Sequence, residues 1–108
     1  MRARGSAPDV KELRRAAGEW LRKLREERGL SQRDLAKLVG IEYHTFISQL
    51  EMGRGRVRAD RYKQWADALG VPPKVFVKTL LRYYDPVTYD MLFDDDGSND
   101  EPEADAAR

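Results

Sequence analysis

The chain has 108 residues, of which 41% are hydrophobic and 36% are charged, a composition typical of one small domain with a strongly solvated surface. It has no cysteine and a single histidine, which excludes disulfides, thiolate metal sites, thiol catalysis and metal sites built on several histidines. No apolar run approaches the roughly 18 residues that a membrane span needs, and the basic N-terminus lacks the apolar stretch of a secretion signal. We therefore expect a cytoplasmic protein with no membrane contact and no cofactor.

The net charge of +1 conceals an uneven distribution along the chain. Residues 1–93 carry 19 Lys and Arg against 12 Asp and Glu, whereas residues 94–108 carry one Arg against seven acids. A basic domain is typical of proteins with phosphate-bearing partners, although charge alone is weak support for one. We expect residues 1–7 to form a disordered basic N-terminus and residues 94–108 to form a disordered acidic tail, because the tail has almost no apolar content.

Two helices are predicted in the N-terminal third. The first begins near Ser6, which is followed by an acid three residues later as in an N-cap, and it ends at Gly29. The second covers residues 32–39 behind a capping box that begins at Ser31, and Gly40 then supplies the left-handed backbone of a tight turn. The outer face of the first helix is expected to carry six basic residues, which are Arg14, Arg15, Arg22, Lys23, Arg25 and Arg28.

The rest of the chain reads as further helices, with no strand pattern and no internal repeat. A third helix is predicted over residues 42–52, a basic loop over 53–58 and a fourth helix over 60–69. A fifth helix opens at the two prolines of segment 72–84, and a short last helix occupies residues 85–93. The fold class is therefore all-α, with five helices, an extended first helix and a short extra C-terminal helix.

The third helix is the segment that most directly suggests a function. In steps of about 100° per residue, its apolar side chains fall on one side, which we expect to be buried. These are Tyr43, Phe46, Ile47 and Leu50. The opposite side presents four uncharged hydrogen-bonding side chains, which are His44, Thr45, Ser48 and Gln49. Such a face supplies donors, acceptors and a methyl group for base edges, while an ordinary polar surface helix is the equally favoured alternative.

The neighbouring segments favour the DNA-reading interpretation. A short capped helix, a glycine-containing turn and a second amphipathic helix make up a helix-turn-helix pattern at about residues 31–52. Arg54, Arg56 and Arg58 follow directly, in a loop whose glycines let backbone amides approach phosphates. A solvated basic turn is the alternative for this loop, and it becomes less favoured beside a recognition helix.

Three segments carry a family resemblance. They are LREERGLSQRDLAKLVGI from residue 24, ISQLEMG from residue 47 and WADALGVP from residue 65. They resemble the phage lambda repressor-like family, also called the XRE or Cro/CI type, over roughly residues 20–80. The resemblance implies a lambda repressor-like DNA-binding domain, which we place at residues 8–93. From Gly40 to Glu51 the chain has one residue more than the family spacing, and we expect the extra residue in the turn near Glu42 or Tyr43.

The resemblance also implies roles for individual residues. In the family, the glutamine after the serine cap contacts a phosphate and braces the recognition helix, and Gln32 occupies that position. Glu51 stands where the family keeps a structural glutamate. The predicted base contacts are His44, Thr45, Ser48 and Gln49. The predicted phosphate contacts are Gln32, Arg33, Tyr43, Arg54, Arg56 and Arg58. We interpret His44 as a hydrogen-bond donor to DNA rather than as a pH sensor.

The predicted fifth helix is more apolar than a surface helix should be, so one face packs on the domain and a second face needs a cover. We predict that a homodimer interface supplies this cover, and the alternative is that residues 87–93 fold back over the helix. The predicted interface residues are Phe76, Leu80, Leu81, Tyr84, Leu92 and Phe93. A two-fold dimer would place two recognition helices about 34 Å apart, which implies a palindromic operator.

The predicted function is that of a sequence-specific regulator of transcription on double-stranded DNA, acting as a repressor. The second hypothesis is an antitoxin that neutralises a partner protein through the fifth helix or the tail and regulates its own promoter. A protein-interaction module without DNA binding is a third, which the basic loop argues against. An enzyme is the weakest, because the chain has no cysteine, one histidine and no glycine-rich phosphate loop. The acidic tail is interpreted as a solubilising end, and competition with DNA is its alternative.

Overall fold

The structure is a computed structural model that describes residues 9–93, which form six α-helices and one short 3-10 helix without any strand in that range. The α-helices are α1 (Val10–Glu27), α2 (Gln32–Leu38), α3 (Thr45–Glu51), α4 (Tyr62–Leu69), α5 (Pro73–Tyr84) and α6 (Pro86–Phe93), and the 3-10 helix is Ala59–Arg61. This architecture confirms the all-α prediction. The predicted disordered ends, residues 1–7 and 94–108, lie outside the described residues. In residues 9–93 no helix has the length and apolar character to cross a membrane.

The boundaries of the first two helices follow from local capping. The carboxylate of Asp9 accepts a hydrogen bond from the amide of Lys11 at 3.0 Å, so the N-cap of α1 is Asp9, three residues later than the predicted cap at Ser6. The capping box of α2 is confirmed. The hydroxyl of Ser31 accepts from the Asp34 amide at 3.0 Å, and the Asp34 carboxylate accepts from the Ser31 amide at 2.9 Å. These hydrogen bonds to Ser31 lower the pKa of the Asp34 carboxyl.

A single apolar core joins the first five helices. Its fully buried side chains are Ala17, Leu21, Leu35, Ala36, Val39, Ile47, Leu50, Val57, Trp65, Ala66, Leu69, Phe76 and Leu80. No residue of α6 is fully buried. Phe76 and Leu80 are 0% exposed because they lie on the face of α5 that packs on α1 and α4. These two residues therefore offer no surface to a second protomer, and their assignment to the dimer interface is wrong.

Helices α1 and α3 approach each other closely at Gly18. A Cβ atom at this position would lie 2.6 Å from the carbonyl oxygen of Leu50 and closer still to that of Glu51. Both obstacles are backbone atoms, which cannot move aside as the end of a flexible side chain does. Gly18 therefore allows the last turn of α3 to rest directly on α1, which fixes the position of the helix that carries the predicted base contacts.

Replacing Gly18 by alanine is expected to lower the free energy of unfolding by about 1–3 kcal/mol, because the methyl group overpacks the contact between the two helices. The loss should occur although alanine is favoured over glycine inside a helix by about 0.8–1 kcal/mol. Urea unfolding followed by circular dichroism measures the difference. The matched control is Glu19→Ala on the exposed side of α1, which should leave the midpoint nearly unchanged. A Gly18→Ala variant as stable as the wild type would contradict the close approach.

Candidate nucleic-acid interface

The recognition helix begins later than the sequence pattern predicted. Residues 41–44 form a turn after α2, and α3 starts at Thr45 rather than near Glu42. The first hydrogen bonds that lead into the helix join the Phe46 amide to the Tyr43 carbonyl and the Ile47 amide to the His44 carbonyl, each at 3.0 Å. Glu42 and Tyr43, where the extra residue was expected, thus lie in the turn. His44 is the N-cap residue, and its side chain makes no capping hydrogen bond.

Two apolar side chains that were predicted to be buried are exposed instead. Tyr43 is 68% exposed because it precedes the helix, so it does not share the inward face of α3. Phe46 is 46% exposed because it lies at the edge of that face. The inward face consists of Ile47, Leu50 and Glu51, all of which are buried. The side chain of Tyr43 is therefore accessible at the surface, as its predicted phosphate contact requires.

The outward face of α3 presents short polar side chains. Thr45, Ser48 and Gln49 fall within about 100° of one another around the helix, opposite the buried face. Thr45 and Gln49 are exposed, Ser48 is half-buried, and His44 is half-buried just ahead of the helix. Met52, which is 51% exposed, lies on the same side of the helix, because it follows Thr45 by seven residues, which is nearly two complete turns. Sequence reasoning missed Met52, although continuing the angular count to the end of the helix would have found it.

A buried ion pair fixes α3 to α1 and α2. Nε of Arg25 donates to Oε2 of Glu51 at 2.7 Å, and Nη2 donates to Oε1 at 3.1 Å. Nε2 of Gln32 donates to the same Oε1 at 3.1 Å, so α2 joins the cluster as well. The remaining amino group of Arg25, Nη1, donates to the carbonyl of Leu30 at 2.8 Å. The hydrogen bonds with Glu51 raise the pKa of Arg25 against the opposing effect of desolvation.

This cluster confirms part of what the family resemblance implied. Glu51 is buried and structural, and Gln32 braces the recognition helix through it. The contact of Gln32 with a phosphate stays a prediction. Arg25 was expected among the basic residues on the outer face of α1. It is buried instead, where it pairs with Glu51, a residue 26 positions further along the chain. The neighbouring Arg33 is exposed on the first turn of α2.

The basic loop, residues 53–58, follows α3 directly. The side chains of Arg54, Arg56 and Arg58 are exposed, while Val57 between them is buried and anchors the loop in the core. Arg58 forms an exposed salt bridge with Asp60 at 3.0 Å, so its charge is partly compensated. Arg54 and Arg56 take part in no salt bridge within residues 9–93. The loop thus presents two uncompensated positive charges next to the outward face of α3.

A tyrosine of α5 holds this loop from the other side. The hydroxyl oxygen of Tyr84 accepts a hydrogen bond from the Val57 amide at 3.1 Å, and the guanidinium carbon of Arg56 lies 4.6 Å from the centre of its ring. Burial raises the pKa of the Tyr84 phenol. Tyr84 is half-buried and its hydroxyl is bonded to the basic loop of its own chain, and its place in a dimer interface stays a prediction.

A model of the helix-turn-helix family matches residues 21–76, just over half of the chain. The chain belongs to the lambda repressor-like (XRE) helix-turn-helix family. It is accordingly a DNA-binding transcription regulator, and the matched region contains both α2 and α3. No protein with a curated description matches the chain at a significant level.

Two solved structures are similar to the chain in both sequence and fold. One is the restriction-modification controller protein C.AhdI from Aeromonas hydrophila, with 32% identity and a TM-score of 0.52 over 60% of this chain and 96% of that one. The other is the clp gene regulator ClgR from C. glutamicum, with 30% identity and a TM-score of 0.53 over 66% of this chain and 87% of that one. Both descriptions name regulatory proteins, in agreement with the family.

Proposed function

We propose that the protein is a sequence-specific repressor that binds a palindromic operator as a homodimer and reads base pairs with α3. The observation that carries this proposal is the exposed, uncharged polar face of α3 beside an uncompensated basic loop. Short polar side chains exchange hydrogen bonds with base edges, and the arginines meet the flanking phosphates. A domain seated in the major groove over a promoter also excludes other proteins from that DNA, which favours repression.

The base contacts of the proposal are the four predicted from the sequence, with Met52 added. Gln49 carries most of the specificity, since its exposed amide has the bidentate geometry that matches adenine. The methyl group of Thr45 and the exposed side chain of Met52 supply the apolar contacts that a thymine methyl needs. His44 and Ser48 are less exposed and make the remaining hydrogen bonds at the start and the edge of the face.

The phosphate contacts flank this face on both sides. Arg33 and Tyr43 are exposed before α3, and Arg54 and Arg56 are exposed after it. Gln32 adds an amide at the start of α2 that is already oriented by Glu51. Arg58 is the weakest of the set because its guanidinium is shared with Asp60. Contacts on both sides of a recognition helix set its register in the groove.

Replacing Arg56 by glutamine is expected to weaken binding to all duplexes alike and to reduce the slope of log K against log salt by roughly 0.9, the loss of one phosphate contact. Fluorescence anisotropy with labelled genomic duplex fragments across a salt series measures the slope. Lys23→Gln removes one exposed positive charge from α1 and is the matched control, which should leave the slope unchanged. If Arg56→Gln behaves like this control, Arg56 is not a phosphate contact.

The dimer proposal rests on an apolar groove between α5 and α6. The groove has a volume of about 560 Å³ and is lined by Pro73, Lys74, Val77, Lys78, Leu81, Leu92 and Phe93. Helix α6 does pack on α5, as the fold-back alternative predicted, with Lys78 stacked 4.7 Å from the centre of the Phe93 ring. It nevertheless leaves Val87, Met91 and Leu92 more than half exposed. A second copy that packs its own α6 against this surface would bury these side chains, and its exposed Asp90 would complement the groove lysines.

Replacing Leu92 by glutamate is expected to raise the dimer dissociation constant by about 30-fold or more, because the change buries a charge in an apolar contact. Analytical ultracentrifugation should find the wild type at twice the chain mass of 12.5 kDa and the variant shifted toward 12.5 kDa. Val10→Glu, an exposed apolar residue of α1 outside the groove, is the control. A wild type that stays monomeric would contradict the dimer and leave the groove to another protein partner, as the antitoxin hypothesis requires.

A further inference from the structure

A pair of arginines from distant parts of the chain meets at one aromatic ring. The guanidinium carbon of Arg56, in the basic loop, lies 4.6 Å from the centre of the Tyr84 ring, and that of Arg14, on α1, lies 5.7 Å from the same centre. Cations are attracted to the face of an aromatic ring, so Tyr84 gathers both positive groups at one place. Arg14 was not among the predicted DNA contacts, because it lies outside the helix-turn-helix motif.

The backbone holds this arrangement in place. At Gly53, where the basic loop leaves α3, an added Cβ atom would lie 2.8 Å from the Cα of Arg15 and 3.1 Å from the carbonyl carbon of Arg14. The loop thus rests directly on the backbone of α1, with Gly53 in the left-handed region at a φ of 85°. At its other end, the Val57 amide is bonded to the Tyr84 hydroxyl. The positions of the two arginines are therefore set by three packed elements rather than by one mobile loop.

The charges at this place are not compensated within the described part of the chain. Neither Arg14 nor Arg56 forms a salt bridge with any residue from 9 to 93. Hydrogen bonds with Thr88 lower the pKa of the Asp85 carboxyl, and the nearby positive charge of Arg56 lowers it further. That carboxylate is, however, engaged as the cap of α6, where it accepts from the Thr88 amide at 3.1 Å. Two cations gathered at one ring leave a site that an oxyanion would complete.

We infer that Arg14, Arg56 and Tyr84 form a phosphate-binding site for the DNA backbone, in which α1 supplies a contact that the helix-turn-helix motif does not include. The inference rests on the proposed DNA-binding function. In this site Arg14 and Arg56 contact backbone phosphates, and Tyr84 is a positioning residue that touches no DNA. Its ring orients the two guanidinium groups, and its hydroxyl fixes the loop through Val57.

The test of the Arg14 contact is its replacement by glutamine. The variant should reduce the slope of log K against log salt by roughly 0.9 on duplex fragments of any sequence, while the melting temperature of the free protein stays at the wild-type value. Lys23→Gln is a close control, since Lys23 lies nine residues further along α1, on its opposite side, and should leave the slope unchanged. An unchanged slope for Arg14→Gln beside a reduced slope for Arg56→Gln would overturn the Arg14 contact and leave the DNA-binding function standing. A wild type without any salt-dependent duplex binding would overturn both.

The positioning role of Tyr84 is tested by replacing it with phenylalanine, which keeps the ring and removes the hydroxyl. The Val57 amide then lacks its partner, so the loop should open more often, and trypsin should cleave after its arginines about fivefold faster or more. Affinity for duplex fragments should fall, with the salt slope retained because both arginines remain. Tyr83→Phe on the preceding residue is the control. Wild-type cleavage and affinity in Tyr84→Phe would overturn the positioning role, whether or not Arg14 contacts a phosphate.

Discussion

Replacement of Glu51 by alanine is expected to lower the free energy of unfolding by about 3–5 kcal/mol, because it leaves the guanidinium of Arg25 buried without its carboxylate. Gln32 loses its acceptor in the same step. Small domains are stabilised by only about 5–15 kcal/mol in total, so this loss is a large fraction of the total stability. Urea titration followed by the fluorescence of the buried Trp65 measures the change.

Two further variants separate the buried pair from ordinary surface charges. Asp67→Ala removes an exposed carboxylate that forms a salt bridge with Lys63 at 3.0 Å, and it should cost about 1 kcal/mol or less. The double variant Arg25→Met with Glu51→Leu should recover much of the loss of Glu51→Ala, because no uncompensated charge remains in the interior. If Glu51→Ala were no more destabilising than Asp67→Ala, the ion pair would not be what fixes α3 to α1.

Replacement of Gln49 by alanine is expected to abolish the preference for one base pair in each half-site, a loss of about 1–3 kcal/mol in discrimination. Binding to unrelated duplex should change little, because Gln49 is uncharged and non-specific binding depends on the phosphate contacts. The experiment compares the duplexes enriched from a random pool by the wild type and by the variant, both read by sequencing. Gln64→Ala, an exposed glutamine on α4, is the control and should enrich the wild-type site.

The outcome for Gln49 also settles the register of α3. Thr45 and Gln49 are the exposed polar residues of the outward face, so a lost preference at symmetric positions would support the base contacts as proposed. Identical enriched sites for Gln49→Ala and the wild type would mean that another face of the helix meets the bases. In that case the exposed Phe46, at the edge of the buried face, becomes the next position to vary.

Features that depend on neighbouring residues were predictable from the sequence. The capping box of Ser31 and Asp34 is local chemistry, and it marks the start of α2 correctly. Gly40 and Gly70 adopt the left-handed backbone, at φ of 70° and 72°, and end their helices where expected. The cap of the last helix by Asp85 is of the same kind. Each of these caps and turns depends on only a few consecutive residues, so tertiary packing seldom changes it.

Features that depend on distant residues were not predictable. The start of α3 was placed too early, because the apolar Tyr43 reads as part of a helical face, whereas the segment 41–44 is held as a turn. In the sequence, Arg25 resembles the other basic residues of the solvated face of α1. Its burial depends on the carboxylate of Glu51 from α3, which the local sequence does not show. The sequence pattern assigned Phe76 to the dimer interface, because the sequence of an apolar helix does not show which of its faces packs on the core of its own chain.

The residues of the candidate site also fall into two groups, those that the sequence pattern identifies and those that only tertiary packing brings together. The polar face with Thr45 and Gln49 and the arginines of the basic loop could be found by counting along the chain. The place where Arg14 joins the loop at Tyr84 could not, because it brings together residues 70 positions apart through packing alone. The proposed phosphate contact of Arg14 therefore follows from tertiary packing and not from the sequence pattern.

Selection of bound duplexes from a random pool by the wild-type protein, at several salt concentrations, tests the central claim most directly. We expect enrichment of one palindromic site whose half-sites are centred about 10 base pairs apart, with affinity that falls steeply as salt increases. A pool that emerges with no preferred sequence at any salt concentration would contradict the claim that α3 reads base pairs.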